Sequence, residues 1–390
     1  MIERAVVQLR PFRPLAHLAR PREAIRQFTP NWFTATMGTG ILALALNQVP
    51  VATSMLPMLG RALWEVNIGL FVLFSILYGA RWVFFYHGAK RIFGHSVMSM
   101  FFGAIPMGLA TIINGFLAFG IPMWGDTAIE IATALWWIDA AMAFGCGLLI
   151  PYLMFTRQEH SVDKMTAVWL LPIVACEVAA ASGAQLLTHL PQADAVGFLL
   201  LNYMLWALSV PLAMSILVIL LLRLLLHKLP HRDMGASSWL ALGPIGTGAL
   251  GLLLLGRNGV SVFAAAGMPA VGDVAQGLGI VGGAMLWGYG VWWLGFAIVV
   301  TVRYLREGLP FNIGWWGFTF PLGVYAVATL TLAAQTHVAA LAYIGIVLVA
   351  MLATMWLIVA ARTLLGAWRG DLFFAPCLLT GSAPAESDVV

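Results

Sequence analysis

The sequence predicts an all-α integral membrane protein. It is expected to have ten transmembrane helices, paired as five helical hairpins around a central pore lined by the odd-numbered, Pro/Gly-broken helices. Three observations lead there: an extreme composition, ten apolar windows whose connections divide the basic residues almost entirely to one side, and helix breakers that recur once per hairpin. Of the 390 residues, 61% are hydrophobic and 9% charged, and mean hydropathy is +0.92. A soluble chain carries about 25% charged and about 45–50% apolar residues, because its surface must be hydrated.

Windows of about 20 apolar residues are long enough to cross about 30 Å of hydrocarbon. Ten fall at 31–49, 64–85, 99–122, 128–155, 166–189, 196–222, 238–256, 275–301, 313–335 and 339–361. The 257–274 connection, rich in Gly and Ala, is expected to hold a short helix dipping into the membrane. Assigned to alternate sides, 18 of the 20 Lys and Arg residues lie with the two termini, and only Arg61 and Arg257 lie opposite. The positive-inside rule then makes both termini cytoplasmic, in the cell inner (plasma) membrane.

Residues 1–29 are expected to be a basic cytoplasmic segment, 30–375 the ten-helix transport domain and 376–390 a flexible cytoplasmic tail. The first segment holds six arginines and three prolines without an apolar core, which excludes a cleavable signal peptide. It either lies along an anionic membrane face or hangs free. Cys146, Cys176 and Cys377 have no ligand-like spacing and read as packed thiols.

Each odd window carries a breaker. These are Gly38 and Gly40, then Pro106 and Gly108, then Pro172, then Pro244 and Gly246, then Pro321 and Gly323. From Gly38 through the four prolines the steps are 68, 66, 72 and 77 residues, one hairpin each. Proline frees a backbone carbonyl that lipid cannot satisfy, so the broken helices are expected to face inward around a wet path. Broken helix ends would then offer N–H groups to an anion. The polar partners on the same windows are Thr36, Thr39, Thr111, Asn114, Ser182, Thr247 and Thr319. No Lys or Arg falls at mid-membrane, which favours weak binding and rapid passage.

Two acids lie near mid-span, Asp139 and Glu177. Each is either a proton-coupling carboxyl or a helix-to-helix hydrogen bond. Gly277, Gly279 and Gly282 fit GxGxxG but open an apolar window with no preceding strand, so they read as helix packing. There is no HExxH or GxSxG, and no catalytic residue, cofactor, metal or nucleic-acid partner is expected.

Four runs, NWFTATMGTGI (31–41), HSVMSMFFGAIPMG (95–108), LGPIG (242–246) and GWWGFTFPLG (314–323), carry a resemblance. They resemble the tellurite-resistance/dicarboxylate transporter family, also called the voltage-dependent anion channel family, over about residues 30–375. That family includes bacterial tellurite-resistance channels, plant slow anion channels, yeast malate permeases and yeast sulfite efflux pumps. The resemblance implies inner odd helices, a homotrimer in membrane lipid with one pore per subunit, and an aromatic pore gate, which falls on Phe320. The wording of the motifs is closer to the malate and sulfite transporters, which implies a small anion as substrate, C4-dicarboxylate or sulfite, moved by a channel-like or proton-coupled route. The alternative is a membrane-embedded enzyme or sensor using a pocket between the odd helices.

Overall fold

The computed structural model describes residues 14–51 and 53–378, and the parts of the expected terminal segments at 1–13 and 379–390 lie outside them. Among the described residues there are helices and turns but no strand. Ten helices carry the fold: α1 (Thr34–Gln48), α2 (Met55–Phe84), α3 (Met98–Trp124), α4 (Asp126–Thr156), α5 (Ala167–His189), α6 (Gln192–His227), α7 (Arg232–Ala265), α8 (Pro269–Arg306), α9 (Ile313–Thr336) and α10 (Ala339–Arg369). Among the described residues, the nine from α2 onward are long and apolar enough to cross a membrane. The fifteen residues of α1 rise about 22 Å, short of a full bilayer core. It is shielded from lipid instead: every residue from Thr34 to Ala45 is buried.

The odd helices close into a ring, α1 against α3, α3 against α5, α5 against α7, α7 against α9 and α9 back against α1. Each even helix lies outside, in the groove between two ring members: α2 on α1 and α3, α4 on α3 and α5, α6 on α5 and α7, α8 on α7 and α9, and α10 on α9 and α1. Burial follows this order. In α3, α5, α7 and α9, 72–94% of the spanning residues are buried, against 22–33% in the even helices. Exposed Leu222, Leu225, Val281, Val299 and Leu364 on the outer helices face where lipid lies, which reverses the polar-surface rule of soluble proteins. The 257–274 connection differs from expectation, because α7 runs on to Ala265 and α8 begins at Pro269, leaving a three-residue turn instead of a dipping helix.

The breaker repeat is real, but its structural meaning differs from a mid-helix break. Each ring helix enters through a 3-10 stretch, Pro30–Phe33, Met98–Gly103, Ala167–Leu170, Arg232–Trp239 or Ile313–Phe318, and only then becomes α-helical. Pro106, Pro172, Pro244 and Pro321 fall in the first turn of that α-helical part. At the start of an α-helical part a proline is tolerated far better than in its interior, and its fixed φ favours helix entry. The glycines break nothing. Gly38 and Gly40 sit inside continuous α1, where a Cβ would lie 2.7 Å from the Trp316 ring and 2.6 Å from the Asn67 amide nitrogen, respectively. Gly108 admits the Thr36 hydroxyl, and a Cβ on Gly323 would lie 2.6 Å from Ile41. These positions let ring helices approach closely, as small residues do in membrane bundles.

The entry end of the bundle is tied by buried cations. Arg81, fully buried at the end of α2, donates to the Phe28 carbonyl at 2.6 Å and to the Cys377 thiol at 3.4 Å. The segment after α10 therefore packs back onto the bundle, and residues 376–378, expected as the start of a flexible tail, form a 3-10 turn with Cys377 buried. At the start of α3, His95 Nδ1 accepts from the N–H groups of Val97 (3.2 Å) and Met98 (3.1 Å), which requires an unprotonated Nδ1. Partial burial holds this imidazole below its ordinary value of 6.5. The unfolded chain therefore binds the proton first as pH falls, and the stability His95 contributes is complete above 6.5 and lost below it, down through the depressed value. Acidifying the purified protein below 6.5 should lower its Tm, and His95→Asn, which keeps an acceptor but does not titrate, should flatten that slope. An equal slope in both proteins would remove His95 as the cause.

Candidate functional site

The five ring helices open at their N-terminal ends into one cavity of about 580 Å³. Every ring helix contributes to it, and the segment after α10 reaches its mouth through Asp371, Leu372, Phe374 and Pro376. The cavity extends no further along the ring than Met37 on α1, Met107 on α3, Val174 on α5, Pro244 on α7 and Phe320 with Pro321 on α9. Its inner end is thus an apolar collar. Phe320 is 3% exposed and begins the α-helical part of α9, directly before Pro321. A narrow apolar collar excludes ions by excluding their water.

Of the nine residues expected as pore-lining breaks, Pro244 and Pro321 line this cavity, and Phe320 lines it as the expected gate. The seven polar candidates do not. Thr36, Thr111 and Thr319 donate to carbonyls three residues back, those of Phe33, Gly108 and Trp316, at 2.7 Å each. Ser182 and Thr247 donate four residues back, to Val178 at 3.1 Å and Gly243 at 2.6 Å. Thr39 accepts from the Trp356 indole at 3.0 Å. Asn114 is 9% exposed, and its Oδ1 has no partner among the described residues. Deep in the ring the six hydroxyls bond their own helices and neighbours, as hydroxyls in apolar surroundings must.

The polar groups that do face the cavity lie in or beside the 3-10 entries, where the sequence reading had not placed them: Asn31 and Ser237 within them, Thr34 directly after the first and Asn312 directly before the last. Asn31 accepts from Thr29 at 2.5 Å, while Asn312 accepts from Gly314 N–H at 2.8 Å and donates to Asp233 O at 3.1 Å. The available signal was their place shortly before each breaker, in a stretch that composition alone does not mark as helix. The entries also occupy donors expected to be free for an anion. Around Pro244, Leu240 N–H bonds Ser237 O at 3.1 Å and Gly243 N–H bonds Leu240 O at 3.0 Å, and before Pro321 Thr319 N–H bonds Trp316 O at 3.1 Å. What remains for an anion is the helix field and the side-chain amides and hydroxyls.

No Lys or Arg lines the cavity among the described residues. The charged lining residues, Asp233 and Asp371, are exposed at the mouth, and each pairs with a histidine, Asp233 with His231 at 3.2 Å and Asp371 with His17. Arg362 lies over the Phe311 and Trp315 rings, at 5.8 and 5.1 Å, with Phe311 itself on the cavity wall.

Asp139 and Glu177 are fully buried and belong to no part of this cavity. Glu177 Oε2 accepts from Ser209 at 3.1 Å, joining α5 to α6, while neither oxygen of Asp139 has a partner among the described residues. The glycines of the GxGxxG run lie inside α8, and a Cβ on Gly279 would stand 2.6 Å from the Leu252 carbonyl of α7, so the run serves helix packing.

Residues 27–364 match the family model described as voltage-dependent anion channel. The chain belongs to the voltage-dependent anion channel family. It is 37% identical over 353 residues to a sulfite efflux pump of Arthroderma otae, covering 90% of this chain and 93% of that protein. It is 29% identical over 356 residues to a transporter of Methanocaldococcus jannaschii, covering 90% and 96%. A malic acid transport protein of Schizosaccharomyces pombe is 21% identical over 350 residues, covering 86% and 77%. This member of the channel family is therefore a multi-pass membrane protein whose relatives are transporters and channels. The family match covers all five ring helices and the Phe320 collar, while the mouth residues Asp371, Leu372, Phe374 and Pro376 lie beyond it.

Proposed function

We propose that this chain conducts small anions across the inner (plasma) membrane, with sulfite the first substrate and a C4-dicarboxylate such as malate the second. The observation that carries this reading is a cavity built from all five ring-helix ends and stopped by an apolar collar at Phe320, in a chain 37% identical to a sulfite efflux pump. The asymmetry of 18 basic residues in 20 supports cytoplasmic termini and a cytoplasmic mouth. The described segments around Phe28 and Cys377 are tied together by Arg81 at the end of the bundle that carries the entries and the mouth. The family resemblance supports a homotrimer with one pore per subunit. A cavity without a cation holds its anion weakly and releases it readily, which suits throughput over affinity.

The deciding measurement is flux from vesicles reconstituted with the full chain, run with sulfite, malate and chloride, with and without a pH gradient. Sulfite efflux above that of empty vesicles supports the reading; no movement of any of the three ends it. The family's proton-coupling option is read here as unused by Asp139 and Glu177, because neither reaches the cavity and Glu177 already joins two helices. Asp139→Asn and Glu177→Gln preserve shape, so both variants should keep the wild-type dependence of flux on the pH gradient. Loss of that dependence in either would make its carboxyl the coupling group.

A further inference from the structure

A second hollow lies on the outer face, away from the ring. It is a groove of about 760 Å³ between the last turns of α6 and α8 and the turn joining α6 to α7. Its walls are apolar and aromatic, with Leu221, Leu225, Trp292 and Phe296, and Leu225 is 67% and Trp292 51% exposed. Its upper end is cationic, with Lys228, Arg232 and Arg303. Eleven positions separate Trp292 from Arg303 on α8, about 16 Å of helix. Greasy walls therefore continue into a charged top over the distance from acyl chain to headgroup.

The charged end is built, not incidental. Lys228 has φ +60, a region that bulky side chains rarely enter. Buried Arg223 holds it there by donating to the Lys228 carbonyl at 2.5 Å while gripping the Asp163 carbonyl at 2.6 Å. The Tyr304 hydroxyl fixes the next bend by bonding the Pro230 carbonyl. A strained turn persists only where surrounding contacts over-determine it, and such turns cluster where ligands bind. The single carboxylate of the groove, Glu307, is used internally: its Oε1 accepts from Arg303 at 2.9 Å and its carbonyl from Arg232 at 3.0 Å. Lys228 has no side-chain partner among the described residues.

We propose that this groove binds one anionic glycerophospholipid, its acyl chains along Leu221, Leu225 and Trp292 and its phosphate against Lys228, Arg232 and Arg303. Charge complementarity selects the occupant: a bilayer supplies the chains at that depth, and the cations exceed the one, already engaged, carboxylate. Native mass spectrometry of the full-length protein in detergent tests it, with phosphatidylglycerol, phosphatidylcholine and inorganic phosphate as probes. Phosphatidylglycerol should stay bound where phosphatidylcholine is stripped, and inorganic phosphate should not displace it. The combined Lys228→Gln, Arg232→Gln and Arg303→Gln protein should bind roughly tenfold more weakly. Should that variant fail to fold, Leu225→Glu, which places a carboxylate on an exposed wall, should weaken binding while leaving the arginine contacts intact. Equal retention of the two lipids, displacement by inorganic phosphate, or wild-type binding in a folded variant would overturn the proposal.

Discussion

Phe320→Ala should raise sulfite and chloride flux in reconstituted vesicles on the order of tenfold, because it removes the largest side chain of the collar that ends the cavity. Phe320→Leu, which keeps an apolar branch in place, should fall between the two. The truncation carries a folding cost. Losing a buried phenylalanine ring destabilises by about 3–5 kcal/mol where the site is fully packed, and less where one side of the ring faces a cavity, as here. Flux is therefore compared per monodisperse protein, separated by size-exclusion chromatography before reconstitution. A well-folded Phe320→Ala protein with unchanged flux would sink the gate assignment and move the barrier beyond the collar.

The second large effect is expected from Gly246→Val. A Cβ at Gly246 would stand 2.8 Å from the Tyr325 backbone nitrogen and 3.0 Å from its Cα, so backbone, not a movable side-chain tip, blocks it. Relief requires pushing α7 from α9 and opening the ring. Overpacking a dense interior costs about 1–3 kcal/mol, and the methyl groups of valine add to it here. The Tm of the detergent-solubilised protein should fall by several degrees or the protein should fail to accumulate. Gly277→Val on α8, where nothing lies within 4 Å, should be tolerated and serves as the matched control. Equal Tm values for the two variants would refute close approach as the reason for Gly246.

The all-α membrane architecture was legible because it rests on quantities a sequence carries openly, namely run length, charge side and the spacing of Pro106, Pro172, Pro244 and Pro321. The role of those prolines was not. A proline that kinks a helix and one that begins it look alike until the preceding residues are known to form a 3-10 turn, and such short turns have no hydrophobic period of their own. Gly38 and Gly40 were opaque for a related reason, since a helical glycine reads the same whether it weakens its own helix or admits a neighbour, and their neighbours Trp316 and Thr111 lie far off in sequence. Thr111 and Thr247 misled because a hydroxyl counts as polar in a sequence even when its proton is spent on the preceding turn. Arg81 and Arg223 counted correctly toward the charged side, yet both are buried clamps, and nothing in a run of letters separates a clamp from a solvated cation. Phe320 was reached through family resemblance alone, as one of 22 phenylalanines.

Each outer helix bridges two ring members, so no ring helix can lean or slide without shifting two others, and the five brace one another like staves held by hoops. If Phe320 is the gate, a frame of that stiffness would leave rotation of its side chain as the smallest motion that opens the collar. Opening should accordingly be quick, and conductance should depend little on the thickness of the surrounding lipid, in contrast to channels whose helices must tilt to conduct.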